Sequence, residues 1–215
     1  MITITQAVRK ALTETPFLVE VLCEELANTT EVARRIKPKI EKILREKVTE
    51  SSIAVALRRI TGELKRPQFG ATFLKQLRDI TVRSNLVEFV FPNIENLPHI
   101  LEKLSKDTHK RKDVFLNFSQ GVHESIVVIN AEYAATLRVL LIKGKPQVIN
   151  DLSAITIRLP ESSLAVPGVY YPILKALATE GISFVEIMSV NTELSILFKD
   201  NDVDSAFTTI KQIMS

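Results

Sequence analysis

The stretch Val166-Pro167-Gly168-Val169-Tyr170-Tyr171-Pro172-Ile173-Leu174-Lys175-Ala176-Leu177-Ala178-Thr179-Glu180-Gly181-Ile182-Ser183-Phe184-Val185-Glu186-Ile187-Met188-Ser189 decides how this chain folds. Pro167-Gly168 is a turn signal, and the apolar residues that follow at helical spacing predict an amphipathic helix closed by Gly181. A new strand follows it. Upstream, residues Leu152 to Leu159 are apolar and β-branched, as a strand requires. Downstream, Leu194 to Phe198 and Asp204 to Ile213 predict another strand and another helix. The resulting order is β-α-β-β-α.

That order is the ferredoxin-like plan. With these residues the segment resembles an ACT domain, and within that family the C-terminal regulatory repeats of aspartokinases, where a Pro-Gly-Val turn opens the first helix. The resemblance implies a sensor that binds an amino acid or related metabolite. The free amides of Gly168, Val169 and Tyr170 suit a carboxylate, Gly168 lets it approach, and Pro167 fixes the turn. In such families an early strand of a paired unit completes the pocket, which here implies Glu186, Ile187, Met188 and Ser189, with Glu186 meeting an α-amino group. Tyr170 and Tyr171 replace the small residues usual in aspartokinases, so the lysine or threonine specificity of those enzymes does not carry over.

Working upstream, the same order recurs with little residue identity. Ile80 to Phe91 reads as a strand, Leu97 to Leu104 as a helix, Val114 to Phe118 and Ser125 to Ile129 as strands, and Glu132 to Ile142 as a helix. Gln147 to Ile149 is a candidate fourth strand. The expected architecture is therefore α+β: an all-helical domain at 1–66, then tandem βαββαβ units of ACT type at 67–148 and 149–215. In the first unit the matching turn, Phe91-Pro92-Asn93-Ile94-Glu95-Asn96, has no glycine and reads as structural. No room remains after Ile213 for a fourth strand in the second unit. Its open edge must be filled by sheet sharing, between the two units or between two chains, and a homodimer is expected.

The helical segment carries the other candidate site. Thr5 is placed to cap a first helix and Thr15-Pro16 to start a second. Asn28 and Glu31 form a capping box for a short third helix to Ile36, Pro38 begins a fourth, and Thr49 or Ser51 caps a fifth. On that last helix Ile53, Ala56, Leu57, Ile60 and Leu64 share one face, leaving Ser51, Val55, Arg58 and Gly62 opposite and Ser52 and Arg59 at the flank. The segment from Asn28 to Arg59 resembles the helix-turn-helix part of winged-helix regulators, with Ala33 at the small position. Arg34, Arg35, Ser51, Ser52, Val55, Arg58 and Arg59 are the implied contacts to double-stranded DNA. The competing reading is a protein-docking bundle, because Glu41, Glu46 and Glu50 are placed to pair with Lys37, Lys42 and Arg45 and neutralise the field.

Composition narrows the rest. A chain of 215 residues with 46% hydrophobic content buries a core, and no apolar run approaches the roughly 20 residues that cross a bilayer. A soluble, cytoplasmic protein with no membrane partner is expected. Cys23 stands alone, so no internal disulfide forms, and its apolar setting points to packing. The net charge of +3 divides into a basic first third and an acidic last third. No phosphate-binding glycine motif occurs, and His99, His109 and His123 are scattered, so neither catalysis nor a metal or other cofactor is expected.

Overall fold

The computed structural model describes residues 2–63, 77, 79–108 and 113–214. The expected linker at 65–70 and the helical turns suggested around 73–77 fall, Leu77 apart, outside that range. The chain divides into two compact units, Met1–Gln68 and Phe69–Ser215.

In the first unit α1 spans Ile4–Thr13, α2 Pro16–Cys23, α3 Thr29–Leu44 and α4 Glu50–Glu63. Two expectations change here. Thr3, and not Thr5, caps α1: its hydroxyl accepts from the Gln6 amide at 3.3 Å while the Gln6 side chain accepts from the Thr3 amide at 2.9 Å. Thr5 is turned to another use, accepting from Arg59 at 3.0 Å. Nor does the chain break before Pro38, which lies inside the continuous helix α3. Proline there removes one hydrogen bond, to the Arg34 carbonyl. Both residues are exposed, so water can replace it, while Ala33 and Ile40 remain buried on the inner face. The core joins Ala7, Val8, Ala11 and Leu12 of α1 to Ile53, Ala56, Leu57 and Ile60 of α4, as the helical periodicity requires.

The second unit is one antiparallel sheet with strand order β2-β3-β1-β4-β6-β5. Its elements are β1 Ile80–Pro92, α5 Leu97–Thr108, β2 Leu116–Gln120, β3 Glu124–Asn130, α6 Ala134–Leu140, β4 Gln147–Arg158, α7 Tyr171–Thr179, β5 Glu186–Val190, β6 Glu193–Lys199 and α8 Asp200–Met214. Val87, Phe89 and Phe91 of β1 point to a cluster with α5 and α6. Ile155 and Ile157 of β4 point to another with α7 and α8. Alternation sends Leu86, Leu152, Ala154, Met188 and Leu197 to the opposite face, where they form a cluster of their own.

The two central strands are each used twice. The first part of β1 pairs Ile80 to Arg83 with Ile157 to Ala154, and its last part pairs Glu88 to Val90 with Ile149 to Gln147. Between them Leu86 faces Leu152, flanked by Asn130 on β3 and Lys199 on β6, so the pairing repeats about a local pseudo-two-fold axis. Asn85 (φ 61°) and Asp151 (φ 58°) stand at equivalent places beside that axis in the left-handed region, where the register shifts. Asn and Asp accept that conformation more readily than other residues with a side chain. The edge left open by the sequence reading at 152–158 is therefore closed within the same chain, by Ile80–Arg83. The expected unit boundary between residues 148 and 149 falls inside β4.

Candidate functional site

Between β4 and α7 the chain makes a short 3-10 turn at Glu161–Ala165 and then the turn at 166–170. Gly168 adopts φ 71°, which explains the glycine: an L side chain there costs about 1–2 kcal/mol. The Gly168 carbonyl accepts from the Tyr171 amide at 2.9 Å, and the Tyr170 carbonyl accepts from Leu174 at 3.0 Å to open α7. Ile173 and Leu177 hold the helix on the sheet, and Val169 and Tyr170 pack against the same core. Gly168→Ala should therefore lower stability by about 1–2 kcal/mol, read as a lower urea midpoint; an unchanged midpoint would show that the turn relaxes.

Tyr170 and Ser189 are brought together, their hydroxyls 2.9 Å apart, so the turn and β5 meet in one chain. Ile187 lies on that same face, in the core beneath α7 and α8. The other two strand residues go elsewhere. Alternation along β5 puts Met188 in the cluster on the opposite face, and Glu186 shares its side. Glu186 bonds its own neighbour, its Oε1 accepting from the Ile187 amide at 3.1 Å. Within one chain it cannot meet a ligand held by the amides of the turn. The corresponding turn of the first half is tied shut: the Asn93 side chain donates to the Gly121 and Val122 carbonyls at 3.0 and 3.1 Å and accepts from Ser125 at 2.6 Å.

Two buried polar residues escaped the sequence reading. Ser163, in the 3-10 turn before Gly168, is 2% exposed and its hydroxyl has no partner among the described residues. Nothing distinguishes it in sequence from the exposed Ser162 beside it. Glu88 is also 2% exposed, with Oε2 unpartnered among the described residues. Burial, and next the charge of Glu186, push its carboxyl up to about 7, partly offset by Lys199. A glutamate between Val87 and Phe89 reads as the wet side of a strand, so its burial has no local signature.

In the first unit, α4 begins beyond Thr49, whose Oγ1 accepts from the Ser52 amide at 3.2 Å. The seven basic, hydroxyl and apolar residues implied for DNA separate into two groups. Four are already engaged: Arg34 with Glu31 at 2.6 Å, Arg59 with Thr5 and Glu63, the Ser52 hydroxyl with the Thr49 carbonyl, and Ser51 with the Thr49 hydroxyl. Arg35, Val55 and Arg58 are exposed and have no polar partner among the described residues. The expected glutamate pairings are replaced by others, Lys39 with Glu14 at 2.7 Å and Arg9 with Glu63 at 2.7 Å, while Glu41 accepts from the Val48 amide. Arg58 also borders a groove of about 450 Å³ that Leu22, the half-buried Cys23, Ala27, Thr29 and Gly62 help to line. Among the described residues no helix is long and apolar enough to cross a membrane, and no group of acidic, histidine and cysteine side chains is arranged to hold a metal ion.

No protein-family model matches the chain, and no curated protein matches it. Solved structures do. The regulatory subunit of aspartate kinase from Thermus thermophilus, in its ligand-free form, superposes with a TM-score of 0.51 at 15% identity, over 65% of this chain and 99% of that one. The aspartate kinase of Clostridium acetobutylicum gives 0.52 at 13% identity, over 65% of this chain and 35% of the kinase. An aspartokinase of alpha and beta subunits gives 0.51 at 14% identity, over 64% and 97%. Over the part covered, this chain carries the ACT-like fold of those structures. It spans about a third of the length of the Clostridium kinase.

Proposed function

We propose that this chain is a metabolite-responsive regulator whose sheet unit senses an amino acid or related carboxylate and whose helical unit acts on duplex DNA. The observation that carries the sensing half is the match over nearly the whole of a protein that is itself a regulatory subunit. The sheet reads as two interlocked βαββαβ units, and only the second has the glycine turn suited to a ligand. Gly168, Val169 and Tyr170 would hold the carboxylate, with Pro167 and Ser189 shaping the turn, and Ser163 supplies an unused buried hydroxyl nearby in sequence. Ile187 supports the site from the core. Glu186 and Met188 reach such a ligand only if it is held between two copies.

The DNA half is supported by the exposed stripe of Val55 and Arg58 on α4, behind the α3–turn–α4 pair. A homodimer suits this reading because paired helices bind adjacent half-sites. The missing-strand argument for a dimer no longer applies, since Ile80–Arg83 fills that edge. A second reading, protein docking that controls a metabolic enzyme, is favoured by Leu26, which is 77% exposed on the helical unit.

Fluorescence anisotropy with mixed genomic duplexes tests the choice. Two or more phosphate contacts predict a loss of about tenfold in affinity between roughly 50 and 200 mM salt. Absence of binding at low salt would leave protein docking as the output. A thermal-shift series over amino acids tests the sensor, with about 2.7 kcal/mol of stabilisation expected at a hundredfold excess over Kd. A flat series would remove the sensing half.

A further inference from the structure

We propose that Val55 and Arg58 together read one base step, a T·A pair beside a G·C pair, in the major groove; this deepens the DNA-binding reading above and rests on it. Two observations set these residues apart from the other α4 candidates; Arg35 is as exposed and uncommitted as Arg58 but stands on α3, away from Val55. Val55 is a large apolar side chain, 65% exposed, on a helix whose other apolar residues are buried. It does nothing for the fold of this unit. Arg58, three residues on, is exposed and uncommitted, whereas Arg34 and Arg59 are held by Glu31, Thr5 and Glu63.

The geometry then limits what the pair can recognise. Residues three apart on a helix lie on neighbouring faces, about 4.5 Å apart along the axis. That rise is close to the roughly 3.4 Å between successive bases. A valine can form no hydrogen bond, and the apolar feature that a base edge offers in the major groove is the thymine methyl group. An arginine fork fits the O6 and N7 acceptors of guanine. Ser51 and Ser52, whose hydroxyls are spent on Thr49, contribute no base reading and at most border a phosphate.

The test uses the full chain and the duplex enriched from a random pool. The enriched site should contain thymine next to guanine. Replacing that thymine by uracil removes only the methyl group, and the wild-type protein should lose about fourfold in affinity, the worth of one buried methylene. Val55→Ala, which keeps a single methyl, should prefer thymine over uracil less than the wild type does. Arg58→Ala should lose roughly five- to 150-fold of its preference for G·C over A·T at the neighbouring pair. Both side chains are exposed, so neither change should move the unfolding midpoint. If the wild type binds no duplex at low salt, the DNA reading falls and this inference with it. If it binds but Val55→Ala keeps the full wild-type preference for thymine over uracil, or the enriched site lacks the thymine–guanine step, only the two-residue reader is overturned.

Discussion

Glu88→Gln is expected to stabilise the sheet unit at pH 8 by about 2 kcal/mol and to destabilise it by about 1 kcal/mol at pH 4. The Glu88 carboxyl ordinarily titrates at 4.5 but is held at about 7 in the folded protein, by burial first and by Glu186 second. The folded state therefore binds the proton more tightly than the unfolded chain. Stability is fully present below pH 4.5 and falls as pH rises toward 7, because the unfolded chain releases the proton first. Each pH unit in that window is worth about 1.4 kcal/mol, giving roughly 3 kcal/mol in all. Glutamine keeps the shape but brings a buried amide of its own, so part of that gain is lost. Glu14, drawn below its usual value by the hydrogen bond and charge of Lys39, titrates beneath the window and does not contribute to it. Urea midpoints at pH 4, 6 and 8 decide the matter. A wild-type protein as stable at pH 8 as at pH 4, or a variant with the same slope, would refute the assignment.

A fragment of residues 149–215 should not fold, whereas 69–215 should unfold in one cooperative transition. The shorter piece contains a full β-α-β-β-α set, yet it lacks Ile80–Arg83, which pair with Ile157 to Ala154. It also lacks Leu77 and Ile80, which belong to the core beneath α7 and α8. Removing a buried leucine or isoleucine alone costs about 2–5 kcal/mol, comparable to the whole stability of a piece this small. Circular dichroism against urea would show a sloping, non-cooperative curve for 149–215. A sharp transition from that fragment would mean that the borrowed strand is dispensable.

What could be read in the sequence depended on how local its cause was. Pro167-Gly168 and the spacing of Ile173 and Leu177 place the turn and α7, because a positive φ and a buried helix face are decided within a few residues. The inward face of α4 was legible for the same reason. Pro38 misleads because local sterics predict a break, while the buried Ala33 and Ile40 on either side hold one helix together. Thr3 caps α1 through a local box with Gln6, a signal that stood in the sequence beside Thr5, whose hydroxyl instead accepts from the distant Arg59. The burial of Glu88 is a property of the assembled sheet, where Val128 and Ile149 flank it from two other strands. At the candidate ligand site, Tyr170 and Ser189 could be grouped from the order of elements. The side to which Glu186 points followed from the phase of β5, which the sequence leaves free by one residue. Asn85 and Asp151, polar residues interrupting apolar strands, were the visible trace of the exchanged pairing.

The double use of β1 and β4 also bears on inheritance. The half with Asn93 at its turn supplies Ile80–Arg83 to the half with the glycine turn, so deleting the first would unmake the second. Selection on the second half therefore preserves the first, and recombination that trades one half for a relative's succeeds only if the borrowed strand travels with it.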